Sequence, residues 1–166
     1  YVFDTVSANH PALLTDENAE NKFNSSYVKL RRELMSKDSV TITELWDKSA
    51  ELVCALDDAH TIVTVSGTRY VGGGNEISKA YNDGTLVSID GISADSMKKH
   101  FKKVFPCEPQ VGFYADYMFG EALQYGSWLT LFGADVSDGI DVVFGENNET
   151  KHFDMTDEPP ERKQLE

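Results

Sequence analysis

Apolar residues recur at helical spacing through the first third of the chain. In the longest such run the apolar positions are three or four residues apart, and charged residues fill the positions between them, as in a helix with one buried face. This pattern predicts a helix from about Glu17 to Met35. A shorter helix precedes it and stops near His10, because a residue before proline disfavours the α conformation. The apolar positions of the long run are Phe23, Tyr27, Leu30 and Leu34.

A second helix is predicted over Ile42–Leu56. Thr41 and Glu44 have the spacing of a capping box, in which each side chain binds the backbone N–H of the other residue. The periodic pattern stops at Asp57, which marks the end of the helix. The predicted apolar stripe of this helix is Leu45, Leu52, Val53 and Leu56.

The period then changes from helical to alternating. β-branched residues bounded by turn residues predict strands near Ile62–Val65, Leu86–Ile89 and Asp141–Phe144. The last of these is half of a hairpin, whose second strand is predicted at Lys151–Met155. The glycine run Gly72–Gly74 lacks the Lys-Ser/Thr pair of a phosphate-binding loop, so we interpret it as a flexible turn.

Two further helices are predicted among the strands. Ser93 can cap the first of them. The second is an amphipathic run from about Val111 to Leu131, interrupted by Gly120 and Gly126. The apolar positions of the first are Met97, Phe101 and Val104.

This order of elements predicts an α+β fold. A helical region would occupy residues 1–60, a module of a few strands and two helices residues 61–155, and a charged, proline-containing linker or tail residues 156–166. The chain begins with Tyr1 rather than Met. We therefore expect a piece of a longer protein, with any export signal removed.

The chain is strongly acidic, with 28 Asp and Glu against 15 Lys and Arg and a formal net charge of -13. Such a charge repels nucleic acid and anionic membrane surfaces. No apolar run approaches the ~20 residues that cross a bilayer. We therefore expect neither nucleic acid as a partner nor a membrane span. Cys54 lies in an apolar helical pattern typical of a buried free thiol, and whether it pairs with Cys107 does not follow from the sequence.

The stretch "ALDDAHTIV" holds the candidate chemistry of the chain. Asp57 and His60 are three residues apart and would share one helix face. With Asp58 they could serve a stand-alone metal-dependent hydrolase. They fall, however, where the helix ends and a strand is predicted, a place where Asp and His side chains satisfy free backbone groups. We therefore interpret the three residues as a structural corner and assign no catalytic, cofactor-binding or metal-binding residue.

Three short motifs carry a resemblance to a known family. "LDDAHT", after an amphipathic helix, is similar to the L-x-D-x-H-T element of the C-terminal processing peptidases, the tail-specific serine peptidases related to the tricorn core. "GTLVSIDGIS" resembles the signature of the PDZ-like module in that family. "YVFDTVSANHPALL" resembles its opening helix, which often runs into His-Pro. The motifs occur in the expected order, and the resemblance covers about Val2 to Met155.

The resemblance implies a secreted or envelope-associated serine endopeptidase, whose nucleophilic serine lies in a catalytic domain after the PDZ-like module. No residue here matches the catalytic motifs of that family. The chain would then be a non-catalytic N-terminal region without a cofactor, in an extracytoplasmic location. Its PDZ-like module would bind a peptide or protein substrate, or regulate its own catalytic domain. A packing spacer, and a module for a small apolar ligand lined by "FYADYMF", are the alternatives.

Overall fold

The computed structural model describes residues 1–58, 60–64, 69–105, 112–145 and 147–159, without the side chains of residues 112 and 113. The chain divides into two compact units. The first unit comprises Tyr1–Thr64 and Lys102–Gly112, and the second comprises Val65–Phe101 and Phe113–Glu166. Helices combined with small antiparallel sheets confirm the predicted α+β class. No helix in the described ranges is both long enough and apolar enough to cross a membrane.

Helices make up the described part of the first unit up to Cys54. The break between α1 and α2 falls at His10, as predicted, because Pro11 disfavours the α conformation at His10 and suits the first position of the next helix. Asp16 caps α3, since its carboxylate accepts the backbone N–H of Asn18 at 2.9 Å. The bounds are Val2–Asn9 (α1), Pro11–Thr15 (α2), Glu17–Met35 (α3) and Ile42–Cys54 (α4).

The predicted capping box of α4 is confirmed. The Glu44 backbone N–H donates to Thr41 Oγ1 at 3.1 Å, and the Thr41 backbone N–H donates to Glu44 Oε2 at 2.8 Å. A row of ion pairs shows that α3 and α4 run antiparallel. Residues further along the chain from α3 pair with residues nearer the start of α4. These pairs, with N–O distances between 2.6 and 3.8 Å, are Lys29–Glu51, Lys48–Glu33 and Lys37–Glu44.

The apolar core of the first unit joins its helices. Phe3 of α1 stacks on Phe23 and Tyr27 of α3, with ring centroids 5.5 and 3.9 Å apart. The predicted stripe of α4 is wrong at Leu45, which is 52% exposed, while Trp46 and Ala50 are buried. Leu52 and Val53 are buried as predicted, so the buried face differs from the prediction in the first half of the helix. The buried members of the core cluster are Leu13, Phe23, Leu30 and Leu52.

The second unit alternates short strands and helices. Among its described residues, one sheet has the antiparallel order β3-β2-β4-β5, and β1 pairs with β6 in another. The strands are Tyr70–Val71 (β1), Leu86–Ile89 (β2), Ile92–Ser93 (β3), Ile140–Phe144 (β4), Glu149–Phe153 (β5) and Met155–Thr156 (β6). The helices are Gly74–Asn82 (α5), Ala94–Val104 (α6), Gly112–Ala122 (α7) and Gly126–Phe132 (α8). The last three residues of α6 and the first residue of α7 are assigned to the first unit.

Aromatic rings from three helices fill the centre of the second unit. Phe101 of α6 lies 5.5 Å from Phe119 of α7 and 5.1 Å from Trp128 of α8, measured between ring centroids. Phe119 is fully buried, whereas Tyr114 and Tyr117 are 39% and 57% exposed. The stretch "FYADYMF" is thus split between the core and the surface.

Several predicted elements differ from the structure. Residues 62–64 of the predicted strand Ile62–Val65 form no regular element, and Val65 lies outside the described residues. The carbonyl of Val63 instead accepts the indole N–H of Trp46 at 3.1 Å. Gly72 and Gly73 form a turn, as predicted, but Gly74 is already the first residue of α5. A Cβ added at Gly74 would lie 3.0 Å from Cβ of Gln124, so any other residue there would force Gln124 to shift.

The later helices and strands also shift in their bounds. The predicted run Val111–Leu131 is two helices, separated at residues 123–125. The predicted strand Lys151–Met155 begins earlier, at Glu149, and β5 ends at Phe153. Met155 belongs to β6 and pairs with Val71 of β1, and Thr156, the first residue of the predicted tail, pairs with Tyr70. The start of the predicted tail therefore pairs within the second unit.

Candidate functional site

The Asp58 corner follows α4 and contains the residues that the sequence singled out. Helix α4 ends at Cys54, and Asp57 then adopts a left-handed conformation with φ of 53°. Asp58 Oδ1 accepts the backbone N–H of His60 at 2.9 Å, and its Oδ2 accepts the Thr61 hydroxyl at 2.7 Å. One carboxylate thus closes the turn that leaves the helix, as short acceptors do in loops.

His10 joins this corner from the other end of the helical region. It lies between α1 and α2, and its Nε2 is 3.0 Å from Asp58 Oδ2. The His10 side chain is only 11% exposed. The motif "HP" and the motif "DDAHT" therefore meet through one side-chain hydrogen bond, although 48 residues separate the two partners.

Hydrogen bonds keep the Asp58 carboxylate ionised. The Thr61 hydroxyl, followed by the backbone N–H of His60, holds the pKa of Asp58 well below its usual range, and the rings of His10 and His60 act in the same direction. An ionised carboxylate can only accept hydrogen bonds, so the Nε2 of His10 must be the donor. In neutral His10, Nδ1 is then an unprotonated acceptor, and it is buried without a hydrogen-bond partner among the described residues.

Asp57 points away from this centre, whereas the His60 ring lies on the exposed side of Asp58. Asp57 pairs with Lys22 of α3, which ties the corner to that helix. The His60 ring is 90% exposed and lies 3.3 Å from Asp58 Oδ1. The three candidate ligands Asp57, Asp58 and His60 are thus not gathered around one point.

The geometry favours a structural role for the corner. Both Asp58 oxygens accept hydrogen bonds, and one faces His10. Within the described ranges, no group of three or more His, Cys, Asp or Glu side chains has an arrangement that could hold a metal ion. The Asp58 corner can position the α1–α2 junction against the end of α4.

A second candidate is the outer edge of strand β5. The backbone N–H and C=O of Asp141 on β4 both form hydrogen bonds with Asp90, so they face β2. In an alternating antiparallel ladder, its partner His152 therefore turns its own N–H and C=O away from β4, and Thr150 does the same. The described residues supply no hydrogen-bond partner for these four groups. They form a short open edge that an extended peptide could pair with.

Side chains around β5 define the surroundings of this edge. Lys151 forms an ion pair of 2.6 Å with Glu76, which places the start of α5 beside one face of the strand. On the other face, His152 Nδ1 lies 2.8 Å from Asp141 Oδ1, and its Nε2 lies 3.1 Å from the Asp138 carbonyl. The Asp141 carboxylate, more than any other group, raises the pKa of His152. The charged side chains next to the open backbone groups are therefore held in defined positions.

Comparison of the chain with family models, with curated proteins and with solved structures found no match in any of the three. The sequence had pointed to Asp57, Asp58 and His60, with Thr61 in the same motif, and the structure adds His10 as a partner of Asp58. The signal for His10 was its position before Pro11 in a motif of the resemblance. No local pattern in the sequence indicates the bond to Asp58, because the contact depends on how α1, α2 and α4 pack.

Proposed function

We propose that this chain is the non-catalytic N-terminal region of a C-terminal processing serine peptidase. The observation that carries the proposal is the hydrogen bond between His10 and Asp58, which joins two of the three motifs of the resemblance. The third motif supports it as well, since "SIDGIS" turns between β2 and β3 and leads into α6. The catalytic domain would be encoded further along the gene, and the mature protein would be extracytoplasmic.

The proposal includes peptide binding by the second unit as a PDZ-like module. The open backbone groups of Thr150 and His152 are suited to the addition of a peptide strand. Strand β3 on the opposite side of the sheet is only two residues long, so β5 offers the longer edge. The bound peptide would be a substrate segment, delivered to the catalytic domain or used to regulate it.

Peptide binding is tested with an isotope-labelled chain and a synthetic peptide that ends in apolar residues with a free carboxylate. We expect amide shifts in the NMR spectrum at Thr150 and His152. Thr150→Pro removes one of the outward N–H groups and should abolish binding, whereas Thr150→Ala keeps that N–H and should bind as the wild type does. Shifts elsewhere only, or equal binding by both variants, would contradict the use of this edge.

The peptidase relationship needs a separate experiment. The protein expressed from the whole gene should cleave casein and lose this activity with a serine-directed inhibitor, whereas the present chain alone should not cleave casein. Inhibitor-sensitive cleavage by the present chain would show that the non-catalytic assignment is wrong. If the protein expressed from the whole gene has no serine-dependent activity, the proposed peptidase family is wrong. Peptide binding at the β5 edge would then be judged by the NMR experiment alone.

A further inference from the structure

Exposed apolar side chains concentrate at one end of the α3–α4 hairpin. Most large hydrophobic side chains of the first unit are buried or half-buried, but five exposed ones fall within the 18 residues around the α3–α4 connection. Because the two helices are antiparallel, these residues belong to the same end of the hairpin. We call them the hairpin patch: Val28, Met35, Val40, Ile42 and Leu45.

Two arginines on α3 lie beside two of these apolar residues, Val28 and Met35. Arg31 and Arg32 are each three or four residues away from both Val28 and Met35. All four residues therefore share one side of the helix. Their side chains line a shallow depression of about 600 Å³. The other residues lining it are Tyr27, Val28, Met35 and Ser36.

The guanidinium groups of Arg31 and Arg32 have no carboxylate partner among the described residues. The four lysines of residues 1–64, in contrast, are each paired with an Asp or Glu. Unpaired cations are unexpected in a chain with almost twice as many acidic as basic residues. A pair of free arginines beside an apolar surface is typical of a protein-binding site, where arginine is an enriched residue.

We propose that the hairpin patch docks a helical segment of another protein, with apolar side chains flanked by Asp or Glu. The apolar side chains would cover Val28 and Met35, and the carboxylates would meet Arg31 and Arg32. A second copy of this chain is disfavoured because each copy carries a net charge of -13, and the same charge repels anionic lipid. The docking surface belongs to the first unit and is independent of the β5 edge in the second.

The test uses a fluorescent amphipathic peptide made of leucine and glutamate, with the leucines at helical spacing, and anisotropy as the readout. We expect the wild type to bind it and to bind less tightly at high salt. Binding to Arg31→Glu/Arg32→Glu should be at least about tenfold weaker, because two exposed charge pairs become repulsive. Met35→Ser/Ile42→Ser should weaken binding too, and circular dichroism checks that both variants fold.

The matched control is Lys99→Glu/Lys103→Glu, which makes the same change of charge at two exposed lysines of α6. It should bind the peptide within about twofold of the wild type, since the charge lies outside the hairpin patch. A similar loss in this control, an unchanged Kd in the Arg31/Arg32 variant, or no binding by the wild type would overturn the proposal. So would equally tight binding of a peptide with glutamine in place of glutamate.

Two further measurements distinguish other occupants of the hairpin patch. Sedimentation of the wild type should show a monomer at the concentrations used for binding. A dimer that is lost in Arg31→Glu/Arg32→Glu would assign the patch to a second copy. Co-sedimentation with phosphatidylserine vesicles that depends on the same arginines would assign it to a membrane surface, and either result would overturn the proposal of a protein segment.

Discussion

Asp90 and Asp141 form two hydrogen bonds of 2.8 Å where β2 and β4 lie side by side in the sheet. The Asp90 backbone N–H donates to the Asp141 carbonyl, and the Asp141 backbone N–H donates to Asp90 Oδ1. Asp90 has φ of 48° and the following Gly91 has φ of 76°. Two positive φ values in succession are those of a type I′ turn, for which Asp-Gly is a favoured pair. The "IDG" motif therefore both turns the chain and extends the pairing of β2 with β4.

Asp90→Ala should lower the free energy of unfolding by about 1–2 kcal/mol. It removes the acceptor for the Asp141 N–H and places alanine in a left-handed conformation. Asp90→Asn keeps an oxygen acceptor and tolerates positive φ, so its loss should be clearly smaller. Urea denaturation of both variants measures the difference, and equal losses would show that the side-chain bond does not contribute.

The His10–Asp58 bond should contribute to the stability of the first unit. Removing either partner leaves a part-buried group without its hydrogen bond, so His10→Ala and Asp58→Ala should each destabilise by about 1–3 kcal/mol. His60→Ala should have little effect, because its ring is exposed and its backbone N–H remains to bind Asp58. A double-mutant cycle of His10 and Asp58 measures the coupling, and simple additivity would contradict the bond.

The Asp58 carboxylate makes the free energy of unfolding depend on pH. The pKa of Asp58 is lowered in the folded chain, so folding favours its ionised form. Its stabilising contribution is present above its unfolded pKa of about 3.9 and is lost as the pH falls below that value. Chemical denaturation between pH 6 and pH 3 should show a smaller loss of stability in Asp58→Asn than in the wild type. Parallel curves for the two proteins would contradict the lowered pKa.

Gly139 should be among the glycines least tolerant of substitution. Its φ is 104°, and an added Cβ would lie 2.5 Å from His152 Nε2 and 2.6 Å from the Phe153 carbonyl oxygen. Gly84, with φ of 71°, has open space around it. Gly84→Ala should cost about 1–2 kcal/mol for the backbone conformation alone, and Gly139→Ala at least about 1 kcal/mol more for the clash. Thermal melts of the two variants compare them, and equal shifts in Tm would contradict the predicted clash.

Cys54 should be an unreactive thiol. Burial, with Glu51 and Asp57 nearby, raises the pKa of Cys54 to about 12, so at pH 8 only about one thiol in ten thousand is the reactive thiolate. In a Cys107→Ser background, reaction with a disulfide reagent should be slow when the chain is folded and fast in urea. Similar rates in both conditions would contradict the raised pKa.

Much of the local structure was determined by the sequence alone. The bounds of α3, the capping box of α4 and the break at His10 were predicted correctly, because each depends on residues within a few positions of one another. The fold class followed from the order of such elements. The predicted role of Asp58 as a helix-ending acceptor also came from neighbours in the chain, His60 and Thr61.

Only the tertiary structure decided which distant residues meet. The bond from His10 to Asp58 spans 48 residues, and the pairing of Val71 with Met155 spans still more. The strand expected at Ile62 was not formed in the described residues, where the carbonyl of Val63 binds Trp46. Helix α5 started in a glycine run, which packs closely against Gln124. In both places tertiary packing outweighed local propensity. The exposure of Leu45 has the same origin: helical period predicts an apolar face, and the neighbouring helices determine which residues of that face are buried.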